Sequence, residues 1–130
     1  MLSPTYTTWC GLAFERICFA HILQIKRALG IEGVNTQSYA LHKDNAQIDL
    51  VIERSDKVVN LCEIKFTDKP YVLTKREAEL LNNRLNVLNS SFKSRRTVEI
   101  ILITNQKATR TAHYTGLINK NITLNDLVEM

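Results

Sequence analysis

The longest periodic stretch of the chain runs from about Thr8 to Leu29, where Phe14, Cys18, Ile22, Ile25 and Leu29 recur at spacings of three and four. That is the apolar stripe of an amphipathic helix, and Gly30 and Gly33 supply its stop. A weakly patterned extended piece near Thr36–His42 follows. The run Gln47–Arg54 then sets Ile48, Leu50 and Ile52 against Gln47, Asp49 and Glu53, the period of a half-buried strand. A second strand is expected over Val58–Phe66, and the polar Ser55-Asp56-Lys57 between them is short enough to turn a hairpin. Thr74-Lys75-Arg76-Glu77 has the form of a capping box, continued by Ala78, Leu81, Leu85 and Leu88 as a second helical stripe. Thr97–Thr104 is a continuous β-branched and aliphatic run, as in a central, often parallel, strand covered on both faces. Thr123-Leu124-Asn125-Asp126 opens a short terminal helix. Helix, strand, hairpin, helix, strand predicts an α/β fold with a mixed central sheet flanked by helices.

Composition changes this picture little. The 130 residues, 45% hydrophobic and 23% charged, suffice for one ordinary core and predict a single domain over residues 1–130. The 17 Lys and Arg against 13 Asp and Glu leave +4, a mild bias that suits a polyanionic partner without demanding one. Cys10, Cys18 and Cys62 are odd in number, lack CxxC spacing and sit among apolar neighbours, which excludes a disulfide framework or zinc site and predicts buried thiols. With neither a signal-peptide pattern nor an apolar run near the ~20 residues a bilayer requires, the expected location is the cytoplasm, with no membrane partner.

The chemistry lies on the hairpin. The period of two puts Glu63 and Lys65 on one face of their strand and Cys62, Ile64 and Phe66 on the other. A three-residue loop at Ser55-Asp56-Lys57 pairs Arg54 with Val58, and counting back sets Asp49 opposite Glu63 and Gln47 opposite Lys65. The two carboxylates then have Cβ atoms ~4.5–5.5 Å apart. Such a half-buried pair is costly unless a proton, a cation or hydrogen bonds compensate it. A divalent ion does so most directly, and oxygen ligands suit Mg²⁺ or Mn²⁺. Lys65 beside them would stabilise a pentavalent phosphate or position an attacking water. Glu15 falls inside the apolar stripe of the first helix, so its carboxylate faces the sheet, where it would hold metal through water.

Each residue also has a plainer reading. An E-x-K strand is commonly a solvated face with an ion pair, and Glu15 has Arg16 and Lys26 nearby as partners. His21 reads as a core-edge histidine and Trp9 as core. Lys75, and the cluster Lys93, Arg95 and Arg96, read either as solvated cations or as weak contacts to a nucleic-acid backbone. Gln47 is a candidate to orient Lys65.

Taken together, Glu15, Ile48-Asp49 and Glu63-Ile64-Lys65 resemble the motifs of the PD-(D/E)XK phosphodiesterase superfamily, whose restriction-endonuclease-like core runs αβββαβ. Ile48 stands where that pattern has proline. The strings WCGLAFERICFAHILQIKRALGIEGV, AQIDLVIERSDKVVNLCEIKF and ITLNDLVEM further resemble the carboxy-terminal domain of a family of prokaryotic AAA-type ATP-binding proteins. That resemblance implies a nuclease-like domain acting on nucleic acid, with DNA the expected substrate, beside an ATPase module in cis or in trans. No G-x-x-x-x-G-K-[ST] loop is present, so the chain itself has no phosphate loop for hydrolysing nucleotide. The expectation is a metal-dependent endonuclease with Glu15, Asp49, Glu63 and Lys65 as its site. The competing expectation is a catalytically silent module that binds DNA or protein for an ATPase.

Overall fold

Five strands build one sheet, and a computed structural model describes it for residues 4–128 of the chain. Helices α1 (Pro4–Ala20) and α2 (Ile22–Leu29) precede strands β1 (Thr36–Lys43), β2 (Ala46–Arg54) and β3 (Val58–Lys65). Helix α3 (Lys75–Ser90), strand β4 (Thr97–Thr104), helix α4 (Ala112–Leu117), strand β5 (Lys120–Thr123) and helix α5 (Leu124–Val128) complete the order. The strands lie in sequence order, β1, β2 and β3 antiparallel and β3, β4 and β5 parallel. The αβββαβ order and the mixed sheet are those expected from the sequence. The short α4 and β5 are additional, and Glu129 and Met130, which close the ITLNDLVEM string, lie outside the described residues.

The parallel pairs need crossovers, and α3 and α4 provide them on one face. There Leu81, Leu88 and Tyr114 pack on Val51, Leu61 and Leu102. On the other face Phe14, Cys18 and Ile25 of α1 and α2, with Leu127 of α5, cover Leu50, Cys62 and Ile101. β4 is buried from both sides, as its unbroken apolar run requires. All three cysteines are buried free thiols. No helix among the described residues is long and apolar enough to cross a membrane.

Local chemistry sets the boundaries. The first helical stripe is broken in two at His21, whose Nδ1–H donates to the Ile17 carbonyl at 2.7 Å while its backbone N–H turns to Cys18 at 3.1 Å. The imidazole thus takes a carbonyl that would continue the helix, and the backbone bends. Gly30, at φ 72, ends α2 with its N–H on Arg27 and that of Ile31 on Lys26, a glycine-capped turn that buries Ile31. Thr74 caps α3 by accepting the Glu77 N–H at 3.2 Å. Trp9, expected in the core, is 64% exposed and stacks on Tyr6 with ring centroids 6.2 Å apart. It lies on the side of α1 away from the buried Cys10, Phe14 and Cys18.

Candidate functional site

The hairpin turn fixes the register. Lys57 N–H donates to the Arg54 carbonyl at 3.2 Å, and Lys57 takes a left-handed φ of 65, which closes a three-residue loop. β2 and β3 then pair Glu53 with Val59, Ile52 with Asn60, Val51 with Leu61 and Leu50 with Cys62, the expected frame.

Beyond Leu50 the ladder changes. On the β1 side Tyr39 pairs with Val51 but Leu41 pairs with Ile48, so two residues, Asp49 and Leu50, oppose the single Ala40. This β-bulge corrects the simple alternation expected for the strand: Ile48 packs on the α3 face, whereas Leu50 and Ile52 pack on the α1 face. Asp49 sits in the bulge, and its Oδ2 accepts the Ile64 N–H of β3 at 3.1 Å. A carboxylate bonded to a strand N–H lies near the plane of the sheet, within reach of groups on both faces.

Those groups are the predicted ones. Phe66 meets Phe14 edge-on, centroids 5.9 Å apart, and so seats α1 over the end of β3. The neighbouring Glu15 then stands against Asp49. Burial first, and then the charge of Asp49 and a hydrogen bond shared with it, raise the Glu15 carboxyl above its ordinary range, with Lys65 opposing. From the other face Glu63, 4% exposed, is pushed up to about 7, by burial first and then by Asp49, against the opposing pull of Arg84 and Lys65. Cys18 lies beneath the pair. Burial, with Glu15 and Asp49 adding to it, pushes its thiol up to about 12, which keeps sulfur protonated and out of a ligand set at neutral pH.

Three further residues belong to the cluster and were not expected. Arg84 of α3 forms an ion pair with Glu63, Glu77 of α3 lies 3.9 Å from Lys65, and Tyr71 stands close enough to Glu77 and Glu63 for burial and their charges to raise its phenol. The sequence carried a signal for Arg84. It stands between Leu81 and Leu88 at spacings of three and four, a charged side chain inside an apolar stripe, the same argument that singles out Glu15.

The remaining candidates lie apart. Gln47 is exposed and pairs with His42 on β1, and the β2–β3 ladder stops before it, so it does not sit beside Lys65 as expected. Lys75 opens α3 at the site's end of the sheet, exposed, two residues before Glu77. Lys93, Arg95 and Arg96 precede β4 at the opposite end, roughly 23 Å away along the strands, where they line a concavity of about 350 Å³. Arg96 is engaged there, its guanidinium 5.3 Å from the Phe92 ring centroid and 4.0 Å from Glu53.

The cluster's charge decides what it can hold. Four carboxylates, Glu15, Asp49, Glu63 and Glu77, face two cations, Lys65 and Arg84. Fully ionised, this leaves two unmatched negative charges on oxygen donors, which is the complement of one hard divalent cation. Proton uptake is the alternative compensation, and the raised Glu15 and Glu63 carboxyls express it. As the side chains stand, no three His, Cys, Asp or Glu among the described residues close into a metal-binding set. Glu63 is turned to Arg84.

The sequence matches no protein-family profile and no curated protein. Among solved structures, the crystal structure of AF1548, a protein of unknown function, is similar with a TM-score of 0.56 over 87% of this chain at 21% identity. This chain spans 65% of the length of that protein, and the likeness is one of fold.

Proposed function

We propose that the chain is a divalent-metal-dependent phosphodiesterase acting on nucleic acid, with DNA the expected substrate, and that it belongs to the PD-(D/E)XK superfamily its motifs resemble. One observation carries the reading. A β-bulge puts Asp49 between a helix-borne Glu15 on one face and Glu63 and Lys65 on the other, with two negative charges in excess.

Asp49 and Glu63 would hold a Mg²⁺ or Mn²⁺ directly, and Glu15 through water. Such an ion, when bound, polarises a phosphoryl oxygen and lowers the pKa of a coordinated water. Lys65, 29% exposed at the mouth of the cluster, stabilises charge developing on the phosphate and orients the attacking water. Its loose pairing with Glu77 leaves the ammonium free to make that contact.

The test is nicking of plasmid DNA with and without chelator. Asp49→Asn and Glu63→Gln, both folded by circular dichroism, are expected to lose at least about a hundredfold of the metal-dependent rate. Cleavage that survives either substitution places the chemistry elsewhere.

A second reading, a catalytically silent module that binds a partner protein or DNA beside an ATPase, is favoured by the outer side of α1 and α2. There Trp9, Leu12, Phe19 and Leu23 are 64%, 55%, 41% and 50% exposed. Under that reading the acidic variants keep all binding and no nicking is seen.

A further inference from the structure

α3 brings two charges to the site, and they act differently. Glu77 and Arg84 are seven residues, about 10.5 Å, apart along one side of the helix, so Glu77 meets Lys65 and Arg84 meets Glu63. The outer pair is loose, 3.9 Å apart with side chains 29% and 34% exposed. The inner pair is close, and the Glu63 side chain is only 5% exposed. Arg84 stands between the buried Leu81 and Leu88 along α3, and its side chain is 21% exposed. Glu63 therefore already has a cation on one oxygen of the carboxylate that the proposed metal site needs.

We infer that Arg84 is a built-in counter-cation that competes with a divalent ion for Glu63, so that metal enters only as the guanidinium leaves. The inference rests on the metal-dependent reading of the site and adds a residue which that reading does not require. It accords with the side-chain arrangement: Glu63 is turned to Arg84, and no three acids among the described residues close into a metal-binding set. It also assigns Arg84 a positioning role rather than a purely structural one. A structural ion pair would leave metal affinity unchanged or lower it when broken.

The experiment is calorimetric titration of the full chain with Mg²⁺ at pH 8.5, comparing the wild type with Arg84→Gln, Arg84→Met and Arg84→Lys. Circular dichroism and melting in chelator verify that each is folded. Met is apolar and a strong helix former, so at least one neutral variant suits a helical position flanked by Leu81 and Leu88. The neutral variants are expected to bind Mg²⁺ roughly tenfold or more tightly, the equilibrium equivalent of one charge-assisted hydrogen bond. Arg84→Lys, which keeps the charge, should stay within about threefold of the wild type on the same scale. Equal or weaker Mg²⁺ binding by the neutral variants, beside measurable binding by the wild type, overturns the role of Arg84 and leaves the metal site standing. Silence in every variant and in the wild type removes the metal site itself, and the role of Arg84 with it.

Discussion

The sheet carries a polar cluster at each end, and the two are built to opposite electrostatic ends. At the turn end, Arg54 holds Asp56 at 2.6 Å, Glu99 at 3.5 Å and the buried amide oxygen of Asn60 at 3.5 Å, while Tyr39 donates to Glu53 at 3.1 Å and Arg96 lies 4.0 Å from the same carboxylate. Each acid there has a cation beside it, and the Arg54 hydrogen bond draws the Asp56 carboxyl below its ordinary range. At the bulge end four acids share two cations, against three and two at the turn end, and Glu15 and Glu63 are raised. Burial is the larger cause of both raised values, whereas Asp56 is exposed. Charge matching differs as well: every acid at the turn end has an ion-pair partner, whereas Glu15 and Asp49 at the bulge end form no ion pair among the described residues. Acids that each have a cation beside them mark a structural cluster, whereas unpaired acids held together by the fold mark a candidate site.

Removing the cation at the turn end gives the largest expected change in stability. Arg54→Met removes the donor to the amide oxygen of Asn60, a residue with 0% exposure, and the cation beside two carboxylates, Asn60 keeping its bond to Glu99. Thermal or urea unfolding should show a loss on the order of 2–3 kcal/mol, carried by the buried Asn60 oxygen left unpaired, with Mg²⁺ binding unaffected. A neutral result would mean that this end is not balanced as described.

The next effect is pH-dependent and belongs to the bulge end. Glu63 is raised from 4.5 to about 7 in the folded chain. The folded state therefore keeps the proton more tightly than the unfolded state. The stability this confers is complete below about 4.5 and is lost as pH rises through about 7. In chelator that loss should be on the order of 2–3 kcal/mol, Glu15 adding in the same direction. Glu63→Gln should flatten the profile. An unchanged profile in that variant would assign the pH dependence to other groups.

The smallest effect has the opposite sign to the first. Asp49→Asn removes one of the unmatched charges, and at pH 8 in chelator it should raise stability by about 1 kcal/mol. A loss of similar size would show that the Asp49 contact with the Ile64 N–H outweighs the repulsion.

Much of this site was legible because its parts obey short-range rules. The β2–β3 frame follows from a three-residue loop, and a two-residue loop would have reversed every face. Glu15 is legible because a carboxylate in an apolar stripe has nowhere to point but the sheet. The bulge was not legible. No glycine or proline marks Asp49-Leu50, and Ile48 and Leu50 are equally apolar, so the change of face leaves no trace in the pattern. The Gln47 assignment failed with it, since it counted through a ladder that ends at Leu50. Trp9 was misplaced because α1 has apolar residues on its outer side as well as its inner one, and composition does not say which the sheet will take. α4 and β5 span six and four residues, too few for a period to emerge. The basic cluster at Lys93, Arg95 and Arg96 drew attention by charge alone, which carries no information on which end of the sheet it will occupy.

Under the proposed function, Glu63 belongs to an under-compensated acidic cluster that a divalent cation would complete. Carboxyl-carbon NMR of the glutamates, followed as a function of pH with and without saturating Mg²⁺, tests it most directly. Glu63 should titrate near 7 in chelator and drop well below its ordinary range when Mg²⁺ is added. A Glu63 resonance that titrates in the ordinary carboxylate range and ignores Mg²⁺ would contradict the account.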